Sequence, residues 1–385
     1  MIPYGRQDIT EDDVEAVKKV LQSDFLTQGQ ALPKFENSIC DYTTAKYAIG
    51  VNSGTSALHL ACRALGLKEG DILWTSAITF ASSANCGLFC GARVDFVDID
   101  PYDWNLSAEN LEIKLKKAAD TGDLPRIIVI VHFAGLPCDL EKIQSICKKF
   151  GVFLIEDACH ALGGKYRDDP IGSCAYSDIA TFSFHPVKSI TTGEGGMVVT
   201  NDSILANKMR LLRSHGITRD KEQMSTNPHG PWFNEQIDLG FNYRMTEIQA
   251  ALGNSQLKRL DDYILKRKNI ADIYREELKA LPLKFQSIHR ERYSAHHLFV
   301  IRLKLDVIEK THLEIFNDLI NEGIGINLHY MPVYRHHYYS KFGYKKESFE
   351  ESEQYYKEAI SIPIFPKLTD KEQSFVIETI KKKIK

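Results

Sequence analysis

From position 47 to position 200 the chain repeats one unit, a short apolar and β-branched run followed by a helical pattern. The strand candidates are 47–51, 72–75, 94–97, 126–132, 152–156, 179–184 and 196–200. Helical stretches such as 55–65 and 140–150 lie between several of them. Strands that stay apolar on consecutive positions have both faces covered. Separated by helices, they predict an α/β fold with a mostly parallel central sheet.

Upstream, residues 10–22 carry the signals of a helix start. Thr10 is placed as the cap, Asp13 answers it from the third position, and Ile9 can staple onto Val14. Beyond about residue 250 the texture changes. A long charged helical segment (257–281) leads to a strand candidate at 298–303, a helix, and a further strand candidate at 324–328. That is a smaller α+β unit, so residues 1–255 are expected to form a large domain with its N-terminal segment and 256–385 a small one. A chain of 385 residues is long enough for two cores. No period of 20–50 residues is visible.

Charge and cysteine usage exclude several classes of function. With 48 basic and 51 acidic residues the formal net charge is -3, so no basic field invites nucleic acid. The longest apolar strings are strand-length, far short of a membrane span. The start, Met1-Ile2-Pro3-Tyr4-Gly5-Arg6, lacks the pattern of a secretory signal. Eight cysteines are scattered without a Cys-x-x-Cys pair, and reduced thiols in a cytoplasmic protein are expected, with no metal site.

In a parallel α/β sheet, ligands collect at the carboxyl ends of strands, where helix N-termini point at them. Three polar clusters fall there. Asn52-Ser53-Gly54-Thr55-Ser56 follows the first strand and precedes a helix, the outline of a phosphate cradle, although small polar residues also simply cap helices. Glu156-Asp157-Ala158-Cys159-His160 ends an apolar strand, where a carboxylate is costly without a positive partner. A protonated pyridine nitrogen on Asp157 would serve, with His160 near the ring's phenolic oxygen; a structural ion pair or helix cap is the alternative. The third cluster runs Phe182-Ser183-Phe184-His185-Pro186-Val187-Lys188 into Thr191-Thr192-Gly193-Glu194-Gly195-Gly196. A lysine held against the sheet in such a turn is desolvated, and its pKa drops from roughly 10.4 as nucleophilic amine chemistry requires. Ser183 is placed to share a phosphate.

Together with Asn242-Tyr243-Arg244-Met245, these ordered motifs resemble the DegT/DnrJ/StrS sugar aminotransferases, which have the type I (aspartate-aminotransferase-like) fold and use pyridoxal 5'-phosphate (PLP). The resemblance spans nearly the whole chain. It implies that Lys188 carries the cofactor and moves the proton, Asp157 pairs the pyridine nitrogen, and His160 lies near the ring oxygen. Gly54, Thr55 and Ser183 would bind the phosphate and Phe80 would stack on the ring. Asn242 would reach the phosphate of a neighbouring subunit, which implies a homodimer with shared active sites.

The N-terminal segment, Asp24-Phe25-Leu26-Thr27-Gln28-Gly29 and Leu328-His329-Tyr330-Met331-Pro332-Val333-Tyr334 look most like the pseudaminic-acid branch of that family. The resemblance implies a 4-keto UDP sugar as acceptor and L-glutamate as donor. It places Tyr4, Asp24, Phe25, Leu26, Thr27, His329, Tyr330, Met331 and Pro332 at the sugar-nucleotide site. Other 4-keto nucleotide sugars remain alternatives, as does a ligand-binding regulator on the same fold. The regulator reading predicts loss of the lysine or a fused DNA-binding segment, and the chain shows neither. Dehydratase relatives carry His in place of the lysine. An oxidoreductase would want Gly-x-Gly-x-x-Gly after the first strand, which Asn-Ser-Gly-Thr-Ser is not.

Overall fold

The structure is a computed structural model that describes residues 1–384. Its centre is a seven-stranded sheet built from β1 (Tyr47–Val51), β2 (Ile72–Ser76), β3 (Arg93–Val97), β4 (Ile127–Val131), β5 (Phe153–Asp157), β6 (Ile179–Ser183) and β7 (Gly196–Thr200). The spatial order is β1-β7-β6-β5-β4-β2-β3. The contiguous block from β6 to β3 is parallel throughout, while β7 is antiparallel to both β6 and β1. The expected mostly parallel sheet is therefore present. β2, β4 and β7 are buried along their whole length, because helices cover both faces. One apolar core fills each side.

A second, three-stranded antiparallel sheet joins β8 (Leu283–Phe285), β9 (Phe299–Leu303) and β10 (Ala359–Ile362) in that order. Helices Leu260–Leu278, His312–Asn321 and Asp370–Lys383 pack on it around a separate core. The N-terminal strand of chain is stitched to this unit. Ile2 bridges Ile324, and Ile364 N donates to Tyr4 O at 3.0 Å, which carries Tyr4 toward the larger sheet.

The charged segment 257–281 forms one helix over Leu260–Leu278, separated from the preceding helix Glu247–Leu257 by a turn at Arg259, whose φ is -108° and which pairs with Asp13 at N–O 2.6 Å. One local expectation needs correction. The segment 324–328 is not a strand. It makes single bridges, Ile324 to Ile2 and Asn327 to Ser361, as it leaves the small sheet for the cavity. At the first helix, Glu11–Leu21, the Thr10–Asp13 capping box forms as expected, while Ile9 and Val14 stay largely exposed.

Candidate active site

The carboxyl ends of β1, β5 and β6 converge on a cavity of about 990 Å³. From the first end comes the turn Asn52–Gly54. Ser53 caps helix Gly54–Ala64, its Oγ accepting from Ser56 N at 3.1 Å. The N–H groups of Gly54 and Thr55, on residues that line the cavity, have no acceptor within the helix, and the helix dipole makes this end attractive to an anion. Glycine is required here by space. A Cβ on Gly54 would lie 2.8 Å from Ser183 Cβ, and one on Gly196 would lie 2.4 Å from Ser53 O. β1, β6 and β7 thus close tightly around the cradle, and Ser183 reaches it from β6.

β5 ends in two acids that alternate across the strand. Glu156, on one side, is fully provided for by the protein. His132 Nε2 lies 2.8 Å from its carboxylate and Ser177 Oγ donates to it as well. Cys138 N donates to His132 Nδ1, so the Nε2 nitrogen carries the hydrogen. Asp157, on the cavity side and 5% exposed, receives Ser83 Oγ at 2.6 Å and Cys159 N at 3.2 Å. Its protein partners are neutral donors, which leaves a buried carboxylate ready for a cation.

Lys188 sits in the loop that leaves β6 and returns as β7. Phe184 N donates to Gly195 O at 2.9 Å, and Phe184 O accepts from Thr192 N and Thr191 Oγ1, so the loop is pinned at its base. The lysine keeps some accessible area on the cavity wall, yet protein atoms surround its amine. Desolvation lowers its pKa, with the Asp157 charge pulling the other way. The histidines beside it follow the same logic. Burial first and Lys188 second hold His160 well below the usual imidazole range, and bring His329 down to about 4. Burial raises the Cys159 thiol, so it stays protonated.

Gly54, Thr55, Phe80, Asp157, His160, Ser183, Lys188, Tyr4, His329, Tyr330 and Met331 all line this cavity. Phe80 is 60% exposed there, an aromatic face on the wall in place of core packing. Pro332 lies just beyond it, buried. Asp24, Phe25, Leu26 and Thr27 are not in the cavity; they are exposed on the outer surface, and so is Asn242. Those two exposed segments are neighbours. Glu247 N donates to Leu26 O at 2.9 Å, and the Glu247 carboxylate accepts from Ala31 N, tying loop 24–30 to the helix that follows Asn242.

Sequence reasoning missed Ser83 behind Asp157 and His297, whose ring centroid is 4.4 Å from that of His160. A signal existed for each. Ser82-Ser83 follows β2 by a short apolar stretch and opens a helix, and His296-His297 lies just before β9. Neither spacing indicates a partner so distant along the chain. Among the described residues no cluster suited to a metal ion is present, and no helix is long and apolar enough to cross a membrane.

Known proteins match this architecture along its length. The model of the DegT/DnrJ/EryC1/StrS aminotransferase family matches residues 7–381. A UDP-4-amino-4,6-dideoxy-N-acetyl-beta-L-altrosamine transaminase of Campylobacter jejuni is 39% identical over 383 residues, covering 99% of this chain and 96% of the relative. Among solved structures, Helicobacter pylori PseC, an aminotransferase in the biosynthesis of pseudoaminic acid, superposes with a TM-score of 0.90 at 31% identity, covering 100% and 99% of the two chains. The PLP-form of the Streptococcus pneumoniae sugar aminotransferase Spr1654 superposes with a TM-score of 0.88 at 26% identity, covering 99% and 98%. The chain belongs to the DegT/DnrJ/EryC1/StrS aminotransferase family, and it is an aminotransferase that uses PLP.

Proposed function

We propose that this enzyme moves the amino group of L-glutamate to C4 of UDP-2-acetamido-2,6-dideoxy-β-L-arabino-hex-4-ulose, giving UDP-4-amino-4,6-dideoxy-N-acetyl-β-L-altrosamine. The observation that carries the chemistry is the meeting of Lys188, Asp157 and the capped helix end at Gly54 in one cavity. The choice of sugar is supported by the relatives of that name, and Tyr4 and His329 line the cavity that would take it.

The residues fit the cofactor. The glycine-tight turn at Gly54, with Thr55 and Ser183, suits a phosphate; buried Asp157, held only by neutral donors, suits a cationic ring nitrogen; Phe80 offers a stacking face. When bound, PLP supplies a carbonyl for the amino group and an electron-withdrawing ring. Lys188 would hold the cofactor, and its Nζ, whose pKa burial lowers, would take the proton from Cα of glutamate. Tyr4, His329, Tyr330, Met331 and Pro332 orient the sugar. Asn242 and the loop carrying Asp24, Phe25, Leu26 and Thr27 serve the site of a second copy. Their shared exposed face, with Phe25 62% exposed, supports that homodimer.

The test is a panel of UDP-, dTDP- and GDP-linked 4-keto sugars with L-glutamate and PLP. 2-Oxoglutarate release and the mass of the amino sugar are followed. The L-arabino UDP sugar is expected to give the highest kcat/KM; a higher value for another sugar, or no amino transfer to any, overturns the proposal.

A further inference from the structure

His160 and Tyr330 meet across the cavity, His160 from the β5 end and Tyr330 from the segment that leaves the small sheet. Tyr330 Oη lies 3.1 Å from His160 Nε2, and the rings are 6.1 Å apart at an interplanar angle of 26°. His160 Nδ1 is buried and has no partner among the described residues. His160 is 4% exposed and neutral, so its ring carries one hydrogen. Tyr330 stays protonated, because burial raises its pKa.

Two arrangements of these hydrogens exist. If Tyr330 donated to Nε2, the imidazole hydrogen would sit on Nδ1, buried with nothing to accept it. If Nε2 donates to Tyr330 Oη instead, Nδ1 is a bare lone pair and the hydrogen left over is the phenolic one, on a residue that lines the cavity. Orphaned buried donors are rarer than under-satisfied acceptors. The second arrangement also leaves the spare hydrogen where a ligand can take it.

We infer that His160 is the Nε2–H tautomer and that Tyr330 is a further catalytic residue, a hydroxyl donor aimed at an oxygen of the bound ligand. The shared chemistry is an acceptor oxygen, on the cofactor ring or on the sugar. The hydroxyl is polarised by the imidazole hydrogen it accepts, which strengthens its own donation. The small-sheet segment thereby touches the group expected nearest the ring. This inference rests on the proposed cavity, yet its test does not depend on which sugar is aminated.

The first arm uses cofactor-free protein labelled with ¹⁵N-histidine, the His160 resonances being assigned by their loss in His160→Gln. The inference predicts hydrogen on Nε2 of His160; hydrogen on Nδ1 overturns it. The second arm compares Tyr330→Phe with wild type in two titrations. PLP binding without sugar that weakens roughly tenfold assigns the donor to the cofactor. Unchanged PLP binding with a raised KM for the nucleotide sugar assigns it to the substrate. If neither changes, Tyr330 is no donor and the inference fails. Should Lys188→Ala instead remain active, the proposed function fails while the tautomer result stands.

Discussion

At the floor of the cavity Asp157 and His160 are 5% and 4% exposed, whereas Phe25 and Leu26 in the outer loop are 62% and 47% exposed. The floor is assembled by one sheet. Its polar atoms are ordered by neighbours such as Ser83 on Asp157 and Tyr330 on His160, and its histidines are kept neutral by burial. The outer loop is fixed through its backbone, Glu247 N to Leu26 O, while its side chains face outward. The contrast separates what one chain completes alone from what a second copy would complete. On the proposed function, chemistry belongs to the first region and ligand closure to the second.

The largest effect is expected at the floor. Lys188→Ala should lower turnover by at least about a hundred- to ten-thousandfold, while PLP still binds noncovalently, as ultrafiltration would show. Substantial turnover in this variant would remove the floor's claim to the chemistry. Asp157→Asn keeps the shape and removes the charge, and kcat should fall on the order of a hundredfold, with PLP affinity less affected. Ser83→Ala should cost about tenfold through the lost 2.6 Å bond to Asp157. Equal losses in the two variants would mean that position of the carboxylate, and not its charge, dominates.

The outer region is sharpened by subunit mixing. Lys188→Ala and Asn242→Asp are expected to be inactive alone. After exchange, a mixed dimer carries both defects in one site and neither in the other. Up to half of the mixed dimer's sites should regain activity. If Asn242→Asp is inactive yet mixing restores nothing despite verified exchange, Asn242 serves its own subunit and the two regions belong to one chain.

The smallest effect is on stability. His329 has a folded pKa of about 4 against roughly 6.5 unfolded. Between those values the unfolded chain binds more protons, so stability falls as pH drops through that window. The contribution is on the order of 2–3 kcal/mol, and urea titrations at pH 7 and pH 5 would show it. In His329→Gln the pH dependence should shrink; an unchanged slope would mean that the other buried histidines carry it.

How much was legible follows the same division. Gly54, Asp157, Ser183 and Lys188 stand at strand ends, so hydrophobic patterning located them and their residue types indicated the chemistry. Ser83 and Tyr330 act through partners 74 and 170 positions away, and local spacing holds no trace of such pairs. The Arg259–Asp13 pair was hidden for the same reason, since its partners lie 246 positions apart. The exposed position of Asp24, Phe25, Leu26 and Thr27 was not legible either, because their resemblance to a substrate loop does not say whose cavity they face.

The central claim is that Lys188, on the floor, is the residue that holds the cofactor. Borohydride reduction of the PLP-loaded enzyme, followed by peptide mass mapping, tests it most directly. The account predicts the phosphopyridoxyl mass on the peptide that contains Lys188, and none in Lys188→Ala. The same label on a different lysine, or no stable label in the wild-type enzyme, would contradict it.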